Sequence, residues 1–138
     1  GTGKTTIARL LARYLKAIGV LSEGQLVEVT RADLVAQYVG QTAPLTMSVI
    51  KSAMGGVLFV DEAYSLYRGK DDSFGLEAID TLVKAMEDHR DNLIVVLAGY
   101  KKEMATFLEA NSGLKSRFPN LINFDDSDCL YPGKIKGI

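Results

Sequence analysis

Gly1-Thr2-Gly3-Lys4-Thr5-Thr6 reads as the second half of a phosphate-binding loop that runs straight into a helix. The full signature is G-x-x-x-x-G-K-[ST]; Gly3, Lys4 and Thr5 fill its last places, and its opening glycine falls before residue 1. Phosphate chemistry asks for these residue types. Glycines let backbone N–H groups turn toward a polyphosphate, and the helix start adds its positive end. The Lys4 ammonium then reaches the β and γ oxygens, and the Thr5 hydroxyl is a ligand for Mg²⁺. Gly1, Thr2, Gly3, Lys4, Thr5 and Thr6 are therefore the candidate nucleotide-binding residues. A Gly-Lys-Thr-Thr string also fits a capped helix start behind a glycine turn, so the choice between the two rests on what lies downstream.

Gly56-Val57-Leu58-Phe59-Val60-Asp61-Glu62 is the second signal. An apolar run too short for a helix, opened by glycine and closed by two acids, is the pattern of a strand buried on both faces of a parallel sheet. Ligands of open α/β sheets bind beyond the carboxyl ends of the strands, which brings Asp61 and Glu62 beside phosphates held by Lys4 and Thr5. Asp61 then suits Mg²⁺, directly or through a water. Glu62 suits a general base that orients and deprotonates the attacking water.

The remaining chain alternates strand and helix patterns. Strands are expected near residues 26–30, 57–61, 93–98 and 121–124, in a predominantly parallel sheet with helices on both faces. In the first helix Ile7, Leu10, Leu11, Tyr14, Leu15 and Ile18 fall at helical spacing and predict the inward face, with Arg9, Arg13 and Lys16 in solvent. Thr30 and Asp33 form a capping-box pattern for a brief helix over 32–37. Pro44 opens a helix through Ala53, and Leu76, Ile79, Leu82, Val83 and Met86 stripe another that ends near His89. A further short helix turns Met104, Phe107 and Leu108 inward. Tyr38-Val39-Gly40 lies between two helical patterns; taken locally, it also fits a core tyrosine followed by a turn glycine.

Composition narrows the classes. The 138 residues are 47% hydrophobic and carry 16 Lys+Arg against 17 Asp+Glu, which is one globular domain's worth of chain without the basic excess of a nucleic-acid binder. Cys129, the one cysteine, leaves no internal disulfide and fits a reducing, cytoplasmic setting; no apolar run approaches a membrane span.

A family resemblance rests on these motifs together: Gly1 to Thr6, Tyr38 to Pro44, Gly55 to Tyr64, Ala78-Ile79-Asp80, Met86-Glu87, Ala98-Gly99-Tyr100 and Gly113-Leu114-Lys115-Ser116-Arg117-Phe118. Over residues 1–126 the chain resembles the AAA+ ATPases grouped with the CbbX red-type Rubisco activase, stage V sporulation protein K and the type VII secretion ATPases. The resemblance implies a P-loop three-layer α/β sandwich and a homo-oligomeric, hexameric ring that binds ATP and Mg²⁺ and pulls a protein client through its pore. By position, Asp61-Glu62 is the Walker B pair. Tyr38, flanked by Val39 and Gly40, is the aromatic of the client-gripping pore loop, and Arg117 is an arginine finger acting in trans on the neighbour's nucleotide. Lys4, Glu62 and Arg117 are thus the expected catalytic residues, and Thr5 and Asp61 the metal ligands.

The departures carry expectations as well. Tyr100 stands where the wider family has a polar sensor, so no role is assigned to it. The strand before the P-loop and the helical lid, with its second sensor arginine, are not in the sequence, and residues 127–138 do not look like the lid's start. The chain reads as a fragment beginning inside the Walker A motif, with a gap or an abnormal strand pairing expected beside the phosphate site. Two other function classes stay open at this point. A small-molecule phosphotransferase would need its own substrate pocket and leaves Tyr38 to Gly40 without a purpose; an inactive nucleotide-binding relic is compatible with the truncation.

Overall fold

The computed structural model describes residues 3–135. Helix α1 (Gly3–Ala17) leads to strand β1 (Leu26–Val29), followed by α2 (Arg31–Leu34), α3 (Thr42–Ala53) and β2 (Val57–Val60). A 3₁₀ turn (Ala63–Leu66) and α4 (Ser73–Asp88) precede β3 (Ile94–Tyr100). The chain then forms α5 (Lys101–Ala110), α6 (Ser112–Arg117), β4 (Ile122–Asn123) and β5 (Asp128–Pro132). The strands make one sheet in the order β1-β2-β3-β5-β4.

Period-two alternation in β2 and β3 builds a core on each side of the sheet. Leu58, Val60, Val95 and Leu97 face the layer that holds residues of α3, α4, α5 and α6, whereas Val57, Phe59, Ile94, Val96 and Ala98 face α1. Both faces are dry, as continuous apolar strands require, and the result is a three-layer α/β sandwich.

β1, β2 and β3 pair in parallel, with Leu26 beside Val57 and Val57 beside Ile94. Of the gap or abnormal pairing expected beside the phosphate site, the structure shows the pairing, made by residues of the expected tail. β5 pairs antiparallel with β3 from Val96–Pro132 to Tyr100–Asp128, and β4 pairs antiparallel with β5. β4 therefore runs in the direction of β1 to β3, and β5 alone opposes them. The edge of β3 would otherwise leave a row of buried N–H and C=O groups unpaired. β5 satisfies them and turns Cys129 to one core and Leu130 to the other.

The first helix corrects part of its expected face: Leu15 is buried as expected and Leu11 packs partly buried, but most of the stripe is not. Lys4, Thr5, Ala8, Ala12 and Leu15 are buried, while Ile7, Leu10, Tyr14 and Ile18 are exposed, Tyr14 at 60%. Both stripes have helical spacing. The small one wins because alanines let the helix axis approach the sheet closely, which the larger side chains would prevent. Met104, Phe107 and Leu108 are buried as expected, and the segment before β4 forms the short helix α6, which the sequence reading left as a connection.

A charged cluster ties α2 to the start of α4. The Asp33 carboxylate accepts the Thr30 backbone N–H at 2.9 Å and caps α2, which is shorter than expected. Arg31 donates to both oxygens of Asp72, at 2.7 and 3.0 Å, and also to the Ser65 carbonyl at 2.8 Å. Asp72 in turn accepts the Gly75 N–H at 3.2 Å and caps α4. The Arg31 hydrogen bond, opposed by desolvation and helped by the Gly75 N–H, holds the Asp72 carboxyl below the usual carboxylate range. Because the folded value lies below the unfolded one, this stabilisation is present in full above about pH 4 and is lost as pH falls through the lowered Asp72 value. Arg31→Ala leaves Asp72 without its partner and should cost about 1.5–3 kcal/mol at neutral pH, with the loss shrinking in acid. Urea unfolding of both proteins across that pH range checks this; a cost that stays constant down to pH 2 contradicts it.

Candidate active site

Lys4 and Thr5, the expected phosphate-binding residues, lie with Asp61 at the carboxyl edge of the sheet. α1 begins there because its Ala8–Ala12 face is seated on β2 and β3, and Asp61 follows β2 directly. Lys4 Nζ lies 3.9 Å from Asp61 Oδ1 and 3.4 Å from Asp128 Oδ1, and Lys4 is only 8% exposed. A buried ammonium requires counter-charge, and these two carboxylates supply it. Thr5 is also buried and donates its hydroxyl to Glu28 Oε2 at 2.9 Å. Gly1 and Thr2 lie outside the described residues.

Glu62 is exposed and takes φ 50°, ψ 47°, the one non-glycine residue of positive φ among those described. Asp61 Oδ1 accepts the Glu62 N–H at 2.9 Å, which braces the turn that swings Glu62 away from the strand. The left-handed region costs a residue with a side chain about 1–2 kcal/mol, and such strain concentrates at functional positions. Tyr64, two residues on, stacks on Tyr100 with ring centroids 6.4 Å apart. Burial first, and the Glu62 charge second, push the Tyr64 phenol up, so it stays protonated at neutral pH. Tyr100, at the end of β3, thus packs its ring against the turn that follows β2.

Tyr38 stands apart from this cluster and is not a core residue. It is 67% exposed and Val39 88%, in a turn that Gly40 completes at φ +81°. The base of the loop is fixed. Buried Thr42 accepts the Ala36 N–H at 3.1 Å, buried Thr46 donates to the Leu34 carbonyl at 2.8 Å, and Glu77 accepts the Ala43 N–H at 2.6 Å. A rigid base and an apolar exposed tip suit contact with something outside the chain.

Arg117 ends α6, with its guanidinium held by Glu87 and by the Gly113 carbonyl, the latter at 2.7 Å. Its partner Glu87 is largely exposed, at 58% of its side chain, so the pair is weakly held.

Two residues in contact with the phosphate-binding side chains escaped the sequence reading. Glu28 is the only charge within Leu26-Val27-Glu28-Val29, and that interruption of an apolar strand was a usable signal. Asp128 had none, since its place depends on the antiparallel pairing of β5.

Comparison with known proteins gives the family. Residues 1–126 match the model of the ATPase family associated with various cellular activities. Stage V sporulation protein K of Bacillus subtilis is 56% identical over 91% of this chain and 39% of its own length. The chloroplastic ribulose bisphosphate carboxylase/oxygenase activase of Cyanidioschyzon merolae is 51% identical over 98% of this chain and 47% of its own. The ESX-1 secretion system protein EccA1 of Mycobacterium tuberculosis is 52% identical over 91% of this chain and 22% of its own. The chain thus spans less than half the length of each of these relatives. With Lys4, Thr5 and Asp61 gathered at one sheet edge and the family match running across them, the chain belongs to the AAA ATPase family.

Proposed function

We propose that residues 1–126 are the nucleotide-binding core of an ATP-hydrolysing motor that remodels a protein client, with 127–138 a tail unlike the family that nevertheless joins the sheet through β5. The observation that carries the ATPase part is the approach of Lys4, at the start of α1, to Asp61, at the end of β2. Lys4 holds the β and γ phosphates, and Glu62 activates water from its strained turn. The donors available for Mg²⁺ are hard oxygens, the Thr5 hydroxyl and the Asp61 carboxylate. Among the described residues no group of three or more His, Cys, Asp or Glu could hold a metal ion. Mg²⁺ is bound through one or two carboxylates together with substrate phosphates, which the hydroxyl of Thr5 and the carboxylate of Asp61 suit. The ion, when bound, neutralises charge that develops on the phosphates.

Work on a client rests on Tyr38. An exposed aromatic on a pinned loop grips an extended chain through contact area and stacking, and Gly40 lets the tip bend. In the intact protein six subunits form a ring in the cytoplasm, the setting that fits the lone cysteine, and Arg117 reaches the neighbour's nucleotide after releasing Glu87. No helix among the described residues is long and apolar enough to cross a membrane. The relatives named for Rubisco activation, sporulation and secretion support a shared motor with different clients.

In the full-length protein Lys4→Ala is expected to weaken nucleotide binding, whereas Glu62→Gln keeps binding and loses hydrolysis. Equilibrium titration with labelled ATP beside a phosphate-release assay separates the two. Equal loss of binding in both variants counts against the assigned roles.

Arg117→Ala is expected to bind ATP and hydrolyse it slowly; arginine fingers in GTPases contribute about 10³–10⁵ in rate. Mixed with Lys4→Ala subunits it should recover activity at hybrid interfaces. No recovery in rings shown to be mixed rejects the trans role.

Tyr38→Ala is expected to leave thermal stability and basal hydrolysis nearly unchanged and to abolish client remodelling. A core tyrosine would instead lose about 3–5 kcal/mol on truncation. Unimpaired remodelling by this variant removes the pore assignment.

A further inference from the structure

Two neighbouring residues of β1 hold the two residues that offer oxygens to Mg²⁺. The Thr5 hydroxyl donates to Glu28 Oε2 at 2.9 Å, and the Asp61 backbone N–H donates to the Val29 carbonyl at 2.9 Å. The end of β1 is itself fixed. Leu26 to Val29 pair in parallel with Val57 to Val60, and just beyond the strand the Asp33 carboxylate accepts the Thr30 N–H at 2.9 Å. Glu28 therefore reaches Thr5 from a backbone with little freedom to move.

Packing alone gives no reason for an acid at this place. Period two along β1 turns Val27 and Val29 to the core of α3 to α6, and Leu26 and Glu28 to the side of α1, where Leu26 joins the apolar cluster. Glu28 stands in register with Phe59, a fully buried residue of that same face. β1 is an edge strand, and a charge on an edge discourages pairing with another chain. That role asks for no particular partner. Glu28, although exposed, turns one oxygen onto a hydroxyl whose residue is only 7% exposed.

The direction of this hydrogen bond decides what it can do. A hydroxyl has one proton and two acceptor lone pairs, and it ligates a cation only with the proton turned away. Donation to Glu28 commits the Thr5 proton to β1 and leaves the oxygen's lone pairs for the ion. An anionic acceptor behind a metal ligand also fixes the ligand's orientation and raises its basicity.

We propose that Glu28 is a positioning residue for Mg²⁺: it orients the Thr5 hydroxyl toward the ion without itself touching the ion or the nucleotide. This rests on the nucleotide-binding function proposed above. Its effect is confined to what the ion adds to ATP binding, because the Lys4 ammonium holds phosphate with or without the metal.

The test uses the full-length protein and a fluorescent ATP analogue, titrated once with Mg²⁺ and once with EDTA. The ratio of the two affinities measures what the ion adds. Glu28→Leu is expected to lower this ratio about tenfold, the lower end of what losing a partner behind a metal ligand costs, and to leave the affinity in EDTA unchanged. Glu28→Gln keeps the shape and an acceptor oxygen but not the charge, and is expected to fall between Glu28→Leu and the unaltered protein. In a Thr5→Ala background Glu28→Leu is expected to change the ratio no further, because the hydroxyl through which it acts is gone. A ratio unchanged in Glu28→Leu, or unchanged in Glu28→Gln should Glu28→Leu not fold, overturns the assignment. An equal loss in EDTA, which a merely structural role predicts, overturns it as well, and so does a full further loss in the Thr5→Ala background. If Mg²⁺ adds nothing to binding in the unaltered protein, the positioning role falls and the nucleotide site stands. If that protein binds no nucleotide with or without the ion, the nucleotide-binding proposal fails, and the positioning role with it.

Discussion

The close seating of α1 on β2 and β3 is the constraint on which the rest depends. Ala8 and Ala12, at 1% and 0% exposure, bring the helix down onto Val57, Phe59, Ile94 and Val96. Only at that distance does the first turn deliver Lys4 and Thr5 to the edge where β2 ends in Asp61. Larger residues at those two positions would lift the helix and separate the lysine from the acid. The chemistry of the site is thus set by packing two turns away from it.

What was legible in the sequence follows from how local each signal is. The Val57–Val60 strand with its terminal acids could be read because a strand buried on both faces leaves no polar alternation, and its glycine and acid boundaries are adjacent in sequence. The inward faces of α4 and α5 were read from the same kind of local period. The face of α1 was not, because hydrophobicity ranks Leu10 and Tyr14 above Ala8 and Ala12, while close approach to a sheet ranks them the other way. Nor was β5, whose residues include an aspartate and a proline and become a strand because the edge of β3 needs a partner. The Arg31–Asp72 fork joins residues 41 positions apart, and no local pattern marks either one.

Among the described residues of the candidate site, Lys4 and Thr5 already have protein partners. Lys4 is held between Asp61 and Asp128, and Thr5 donates to Glu28. A buried cation and a buried hydroxyl cannot be left unsatisfied at a cost below a few kcal/mol, so a phosphate site that folds without phosphate must borrow carboxylates. The choice of carboxylate then matters. Asp61 directly follows β2, whereas Asp128 comes from β5 and reaches Lys4 only through the pairing of that strand with β3.

The same economy of weak partners extends to the residues that act outward. Glu62 is kept in a left-handed conformation that a glycine would hold without strain, and Arg117 rests on a largely exposed glutamate. Neither arrangement is what stability alone would select. Under the roles proposed above, a residue that faces an attacking water, or reaches from its own subunit to a neighbour, is better served by a conformation held by its surroundings and a partner that lets go. Tyr38 fits the same logic, since the buried threonines that fix its loop leave the ring itself uncommitted. The fold therefore places its strong contacts beneath Glu62, Arg117 and Tyr38 and leaves these three side chains exposed or weakly paired, as the proposed roles toward water, neighbour and client require.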